Sequence, residues 1–129
     1  MADFVHLHNH SEFSLLDGLS KIPAMVARAK DLGMTALAIT DHGALYGALK
    51  FYHACREAGI KPIIGCEIYV AKRSRFDKEA NIDSDQNHLI LLAKNNNGYK
   101  NLMRLVTAAR LVSPCLPGGT MKPKKKQKS

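Results

Sequence analysis

Three histidines alternate near the start of the chain, at positions 6, 8 and 10, and Asp41 and His42 follow the next apolar run. Residues two apart in a strand point to the same face, so His6, His8 and His10 are expected on one side of a strand. Neutral imidazole nitrogens together with carboxylate oxygens suit zinc, manganese or iron. The residue types and their spacing therefore predict a metal site at the ends of neighbouring strands.

Two further carboxylates extend this candidate site. Glu67 lies in a third predicted strand, and Asp17 lies in the first loop, near enough to fold back over the same edge. Clustered ions can generate a hydroxide nucleophile and hold a phosphoryl oxygen, which is the chemistry of metal-assisted phosphoester hydrolysis. Two other histidines are expected to be structural from position alone. His53 lies within a helical pattern, and His88 opens a strand at its amino end.

The elements that must position these residues alternate between strands and helices. Apolar runs predict strands over 3–8, 36–40, 61–70 and 88–93. Apolar residues at three- and four-residue spacing predict helices over 21–32, 46–58 and 99–111. Ser20 is the candidate N-cap of the first helix, and the polar stretch 72–87 predicts a surface loop. This alternation predicts a parallel sheet or an α/β barrel, in which functional residues lie at the carboxyl ends of the strands.

Length and composition indicate one globular domain. The chain has 129 residues, of which 46% are hydrophobic and 23% charged, enough for a single core. The formal net charge of +8 is uneven, because residues 111–129 hold five lysines and no acid. We therefore expect a folded region over 1–111 and a disordered basic tail over 112–129. Lys72, Arg73 and Arg75 form a small basic group that is expected to be a solvated face rather than a phosphate site.

The cysteines and the apolar content point away from secretion and membranes. Cys55, Cys66 and Cys115 are spaced neither as zinc pairs nor as a disulfide framework, so buried free thiols are expected. No segment approaches the roughly 20 apolar residues of a membrane span, and the amino terminus lacks the pattern of a signal peptide. We therefore expect a cytoplasmic location and no membrane partner.

Four stretches resemble motifs of a known family. They are His8-Asn9-His10-Ser11, Ser14-Leu15-Leu16-Asp17-Gly18, Ile39-Thr40-Asp41-His42-Gly43 and Gly65-Cys66-Glu67. In order and spacing they resemble the polymerase and histidinol phosphatase (PHP) family. The stretches 59–65, 74–77, 88–94 and 98–102 resemble the branch of that family found at the amino terminus of the alpha subunit of bacterial DNA polymerase III. The resemblance covers roughly residues 3–110.

This resemblance implies a distorted seven-stranded α/β barrel with up to three divalent metal ions, zinc or manganese, at its carboxyl edge. The metal ligands that it implies are His8, His10, Asp17, His42, Glu67 and His88. Glu67 would bridge ions, and Asp17 would take a place that other members fill with histidine. His6 and Asp41 match positions that flank the ligands.

The resemblance also implies a place in DNA replication. The parent subunit is a DNA-directed DNA polymerase, which is a nucleotidyltransferase, and its partners are DNA and other replicase subunits. In that subunit the PHP domain supports the polymerase core, and in some members it carries metal-dependent phosphoesterase or 3′–5′ exonuclease activity.

The chain departs from the family after residue 111, where the later strands and ligands give way to a stretch rich in proline, glycine and lysine. We therefore expect the first three to four strand-helix units of an incomplete (β/α)7 barrel. Such an amino-terminal PHP fragment would have a partial metal site, no polymerase active site and no activity or partner of its own. Two alternatives stay open: a small stand-alone metal-dependent PHP phosphoesterase, and a non-catalytic structural module.

Overall fold

The computed structural model describes residues 4–15, 17–77, 79–83 and 86–112 of the chain. These residues form a mixed α/β fold. In chain order its elements are α1 (Ile22–Asp31), β1 (Ala36–Ile39), α2 (Ala48–Ala58), β2 (Lys61–Ala71), β3 (Gln86–Leu92) and α3 (Asn96–Val112). The basic tail beyond residue 112 and Cys115 lie outside the described residues.

The three strands form one sheet in the order β1-β2-β3. β1 pairs in parallel with the first part of β2, so that Ala36 lies opposite Lys61 and Ile39 opposite Ile64. β3 pairs with the remainder of β2, from Gly65 onward, and runs antiparallel to it. The long strand β2 therefore pairs with β1 along residues 61–64 and with β3 along residues 65–71.

The prediction of a parallel sheet is confirmed for β1 and β2 and wrong for β3, which runs antiparallel to β2. The described part of the connection between these strands, residues 72–77 and 79–83, contains no helix. A parallel pair needs a crossover that carries the chain back to the starting edge, usually a helix, whereas a strand that returns directly pairs antiparallel. The polar loop predicted over 72–87 is the physical reason for the reversed strand.

The strand predicted over 3–8 is also absent from the described residues 4–8. This segment runs beside β1, where the N–H of Ala38 donates to the carbonyl of His6 over 3.0 Å and the N–H of Thr40 donates to that of Asn9 over 2.8 Å. Donors two residues apart thus meet acceptors three residues apart, so a regular ladder cannot continue. The side-chain amide of Asn9 bridges the interruption by donating to the Ala38 carbonyl over 3.1 Å.

The helices form where the apolar periodicity predicts them, with ends displaced by at most three residues. The predicted N-cap is wrong, because Lys21 takes that position and makes no side-chain capping bond. Ser20 instead forms an isolated bridge with Ser11, and its carbonyl accepts the N–H of Glu12. Gly59, at φ 75°, ends α2 as expected.

The core lies between α1, α2 and β1. Ile22 and Val26 from α1 pack with Phe51 and Cys55 from α2, and all four residues of β1 are buried. Burial of these side chains from water is the main source of stability for such a unit. Cys55 and Cys66 are buried free thiols, as predicted. Among the described residues, no helix has the length and apolar character needed to cross a membrane.

Candidate metal centre

The centre of the site is the carboxylate of Glu67, whose side chain is only 4% exposed. Glu67 lies on β2 just beyond the end of its pairing with β1, where the chain after β1 continues alongside. The N–H of Glu67 donates to the carbonyl of Asp41 over 3.1 Å, and the N–H of Gly43 donates to the carbonyl of Glu67 over 2.8 Å. These two bonds place His42 directly beside Glu67.

Four histidines surround this carboxylate, two at each oxygen. Oε2 lies 2.5 Å from Nε2 of His8 and 3.1 Å from Nε2 of His10. Oε1 contacts Nδ1 of His88 and lies 3.6 Å from Nδ1 of His42. Burial raises the pKa of Glu67, but hydrogen bonds from His8 and His88 and the charge of His42 outweigh it, so the pKa lies below its usual value. The group is therefore an ionised carboxylate that can serve two partners through two oxygens.

His88 reaches this centre because β3 is antiparallel. Its backbone lies opposite Tyr69, two residues beyond Glu67 on β2. In an antiparallel pair, the amino end of one strand meets the carboxyl end of the other. The expectation that His88 is structural rested on its position at the amino end of a parallel strand, but the strand is antiparallel. The structure brings His88 together with the other candidates that the resemblance implies, and its role as a metal ligand stays a prediction.

Asp17 reaches the site through a tight loop between residues 11 and 20. Its Oδ2 lies 2.7 Å from Nε2 of His42. The loop closes on itself, since the N–H of Gly18 donates to the carbonyl of Ser14 over 2.6 Å. A Cβ at Gly18 would lie 1.8 Å from the carbonyl oxygen of Ser11, so this close approach of two backbone segments requires glycine.

Asp41 holds the loop through bonds to Ser11 and Ser14 and is absent from the candidate ligand groups of the described residues. It is buried, and its carboxylate accepts the N–H and the hydroxyl of Ser11 over 2.6 and 2.8 Å and the hydroxyl of Ser14 over 3.0 Å. The same Ser14 oxygen accepts the N–H of His42 over 3.1 Å. Asp41 thus fixes the loop that carries Asp17 and the backbone that carries His42.

The remaining sequence candidates lie outside the cluster. His6 is exposed and meets the ring of Phe4 edge-on. His53 is exposed on α2, as expected. Arg73 donates to Asp83 over 2.6 Å and to Glu79 over 3.2 Å, which ties it to its own acidic loop.

The six predicted ligands form three overlapping groups of three. Within each group, the donor atoms lie within 4.8 Å of one another. The groups are His8 with His10 and Glu67, His10 with Asp17 and His42, and His42 with Glu67 and His88. Four imidazoles and two carboxylates supply the mixed nitrogen and oxygen donors that first-row divalent metals accept. The donor set and its spacing therefore fit divalent metal ions.

Sequence reasoning missed two residues at this edge. The hydroxyl of Tyr69 lies 3.1 Å from Nδ1 of His42, and its ring is nearly parallel to that imidazole. Its position two residues after Glu67 on a strand, and hence on the same face, was the available signal. Arg110 of α3 donates to the carbonyl of Gly43 over 3.3 Å. Nothing local in the sequence marks this contact, because it joins residues 67 positions apart.

The family model of the PHP domain matches residues 6–127 of the chain. Three curated relatives are DNA polymerase III alpha subunits. That of Treponema pallidum is 57% identical over 107 residues, or 82% of this chain and 9% of the relative. That of Borreliella burgdorferi is 52% identical over 109 residues, which is 84% of this chain and 10% of the relative. That of Aquifex aeolicus is 50% identical over 113 residues, which is 83% of this chain and 10% of the relative. The chain spans about a tenth of the length of these relatives.

Two solved structures share the fold. One is a protein of Bifidobacterium adolescentis with the provisional description of a metal-dependent phosphoesterase, with a TM-score of 0.56 at 23% identity over 85% of this chain and 35% of that one. The other is an amidohydrolase from Chromobacterium violaceum with bound sulfate and no metal. Its TM-score is 0.55 at 24% identity, and the match covers 83% of this chain and 34% of that one. At these identities the likeness concerns the fold alone. The resemblance found in the motifs is confirmed by the family match and the curated relatives.

Proposed function

The chain belongs to the PHP domain family, and from this premise we propose that it is a divalent-metal-binding PHP unit of a replicative DNA polymerase alpha subunit. One observation carries the metal function: four imidazoles surround the buried carboxylate of Glu67, and Asp17 extends the cluster to six candidate donor residues. The polymerase function is carried by the curated relatives, which are DNA polymerase III alpha subunits. DNA and other replicase subunits are the partners of the whole protein on this proposal, and its location is cytoplasmic.

Zinc or manganese is the metal class that we propose. Magnesium and calcium prefer oxygen donors alone, whereas four of the six donors here are imidazoles. The ionised Glu67 can bridge two ions, and the complete family site would hold up to three. When bound, such ions supply a hydroxide nucleophile and polarise a phosphoryl oxygen. His8, His10, Asp17, His42, Glu67 and His88 would hold them.

Metal binding by the full 129-residue chain tests this proposal. We expect the purified protein to bind zinc or manganese, and Glu67→Gln and His8→Ala to weaken that binding, because each removes a donor from the central group. His53→Ala is the matched control, since this histidine is exposed on α2 outside the cluster. Metal content after dialysis and titration against a chelator give the measurement. Undiminished binding in the two cluster variants would remove the site assignment.

Phosphoester hydrolysis by this chain alone is the second candidate function, favoured by the presence of all six donors in one cluster. We expect hydrolysis of a model phosphodiester to be slow or absent. Each group offers three protein donors, and the side chains of His8 and His88 are 53% and 50% exposed, so the chain alone would hold each ion weakly and leave the site poorly occupied. Rapid hydrolysis that Glu67→Gln abolishes would favour a stand-alone phosphoesterase. A wild-type chain that binds no metal would favour a structural module.

The fold and its boundary extend the same proposal. We propose that residues 1–111 supply the first strand-helix units of a PHP-type barrel and that residues 112–129 form a basic tail. The three-stranded sheet and the two solved structures support the barrel origin. Limited proteolysis with trypsin tests the boundary, since cleavage at the lysines between 122 and 128 should precede any cleavage before residue 111.

A further inference from the structure

Two of the three ligand groups compete for His42. One contains His42 with His10 and Asp17, and the other contains His42 with Glu67 and His88. A carboxylate can serve two ions through its two oxygens, but a neutral imidazole has one nitrogen free to coordinate. His42 can therefore belong to one of these groups only, and the contacts of its two nitrogens must decide which.

The two nitrogens of His42 have different partners. Nε2 lies 2.7 Å from Oδ2 of Asp17. Nδ1 lies 3.1 Å from the hydroxyl of Tyr69, closer than the 3.6 Å that separates it from Oε1 of Glu67. The Tyr69 ring lies at 8° to the imidazole with centroids 5.8 Å apart, and meets the ring of His88 edge-on at 4.8 Å. Tyr69 thus occupies the nitrogen that faces Glu67 and His88.

We infer that Tyr69 is a positioning residue that assigns His42 to the ion held with Asp17 and keeps it from the ion held by Glu67 and His88. The inference rests on the proposed metal function. Without metal, the Tyr69 hydroxyl donates to Nδ1 while Nε2–H donates to Asp17. With Nε2 as a ligand, the proton moves to Nδ1 and is donated to the phenol oxygen. A hydrogen bond to the second nitrogen of a ligating histidine fixes both its tautomer and its ring orientation.

The assignment makes the two ions unequal. On this assignment the ion beside Asp17 keeps both Asp17 and His42 and competes only for His10, which also belongs to the group of His8 and Glu67, whereas Glu67 and His88 lose His42 altogether. An ion beside Asp17 should therefore bind more tightly than an ion beside His88. Loss of the Tyr69 hydroxyl should reduce this difference, because Nδ1 of His42 would then be free to turn toward Glu67.

Tyr69→Phe in the full chain tests the inference, with Tyr52→Phe as the matched control. Tyr52 also meets a histidine ring edge-on, that of His53, but lies on α2 away from the cluster. Long-range ¹H–¹⁵N spectra of the imidazoles report the hydrogen bonding of each His42 nitrogen in the metal-free chain, and zinc titration against a chelator reports affinity. We expect Tyr69→Phe to move the ¹⁵N shift of His42 Nδ1, because this nitrogen loses its hydrogen bond while Asp17 keeps the proton on Nε2. We also expect the tighter zinc site to weaken about tenfold. Tyr52→Phe should change neither.

An unchanged Nδ1 shift of His42 in Tyr69→Phe overturns the inference, whatever the zinc affinity does. The shift is read without metal, so a wild-type chain that binds no zinc would overturn the proposed function and leave this measurement intact. If the wild-type chain binds zinc but Tyr69→Phe changes neither the Nδ1 shift nor the zinc affinity, the role of Tyr69 alone is overturned. Unfolding curves of the three proteins should coincide, which separates positioning from stability.

Discussion

The two neighbours of β2, the strands β1 and β3, belong to regions that differ in how much apolar surface they bury. The core unit, which comprises α1, β1, α2 and residues 60–64, contributes every residue of the hydrophobic cluster, and β1 is buried along its whole length. The outer unit, which comprises residues 65–71, β3 and α3, is largely open. Among the described side chains of β3 and α3, Leu102 alone is buried, and Leu89 is 47% exposed. Burial of apolar surface therefore concentrates in the core unit.

The candidate metal centre spans both units. His42 follows β1 of the core unit, whereas Glu67 and His88 belong to the outer unit. Regions with few buried apolar contacts open at lower free energy than the global unfolding of the molecule. Opening of β3 would remove His88 from the site while α1, β1 and α2 stay folded. Stability and site assembly should therefore respond to different substitutions.

Phe51→Ala should produce the largest loss of stability. Phe51 is fully buried in the core unit, and truncation of such a side chain leaves a cavity that costs about 3–5 kcal/mol. Urea unfolding followed by circular dichroism gives the free energy of unfolding. Tyr52→Ala on the same helix is the control, since Tyr52 is 43% exposed and should cost much less. Equal losses in the two variants would contradict the description of a core confined to the first unit.

Gly65→Ala should damage the junction between the units. A Cβ there would lie 2.6 Å from the carbonyl oxygen of Leu91 and 3.0 Å from Cγ2 of Thr40. Relief of this overlap must displace β3, and overpacking of this kind costs about 1–3 kcal/mol. We expect faster hydrogen exchange at the amides of β3 than in wild type, with β1 unchanged.

Gly98→Ala is the control for that substitution. Its nearest contact would be an ordinary 3.5 Å, and it lies within α3, where alanine is favoured over glycine by about 0.5–1 kcal/mol. It should stabilise α3 slightly and leave exchange in β3 as it is. Protected β3 amides in Gly65→Ala would show that the two units are not joined at this point.

The core unit could be predicted from sequence because its signals are local. Apolar periodicity located α1 and α2, and the continuous run at 36–40 located a strand buried on both faces. The strand expected over 3–8 does not form because the chain between His6 and Asn9 has one residue more than the facing part of β1. No residue type in the sequence indicates this extra residue.

The outer unit could be located but not oriented. The strand at 88–93 was found, yet its direction depends on the connection that precedes it, and the direction decides whether His88 lies near or far from Glu67. Motif resemblance supplied His88 without the geometry. Tyr69 was missed because a tyrosine two residues beyond a candidate ligand is equally typical of an ordinary strand. Side-chain contacts across strands thus set the limit of prediction here.

His88→Ala should weaken zinc binding by about tenfold and lower the free energy of unfolding by only about 1 kcal/mol, the cost of the lost hydrogen bond to Glu67. His88 is the candidate ligand that β3 contributes, and its side chain is half exposed, so little packing is lost. Isothermal titration with zinc and urea unfolding measure the two effects. His53→Ala serves as the control for the loss of an exposed histidine. A large loss of stability in His88→Ala would mean that the outer unit is more tightly packed than its exposure indicates.

The smallest expected effect is a difference in the alkylation rate of thiols placed in the two units. Burial raises the pKa of Cys55 in the core unit to about 11 from an ordinary value of about 9. In a Cys115→Ser background, Cys55 should react slowly at about pH 8, and its rate should keep rising past pH 9 toward about 11, because the folded state holds the proton until then. For the same reason, the contribution of this thiol to stability is complete below about pH 9 and is lost as the pH rises through about 11.

A cysteine introduced as Leu89→Cys in β3 completes this comparison. Leu89 is half exposed in the outer unit, so the new thiol should react rapidly and level off near its ordinary pKa. Adding Phe51→Ala should accelerate the reaction of Cys55, which needs the core to open, and should leave that of the β3 thiol unchanged. If both thiols accelerate together, the two units unfold as one, and the metal centre cannot be lost before the core.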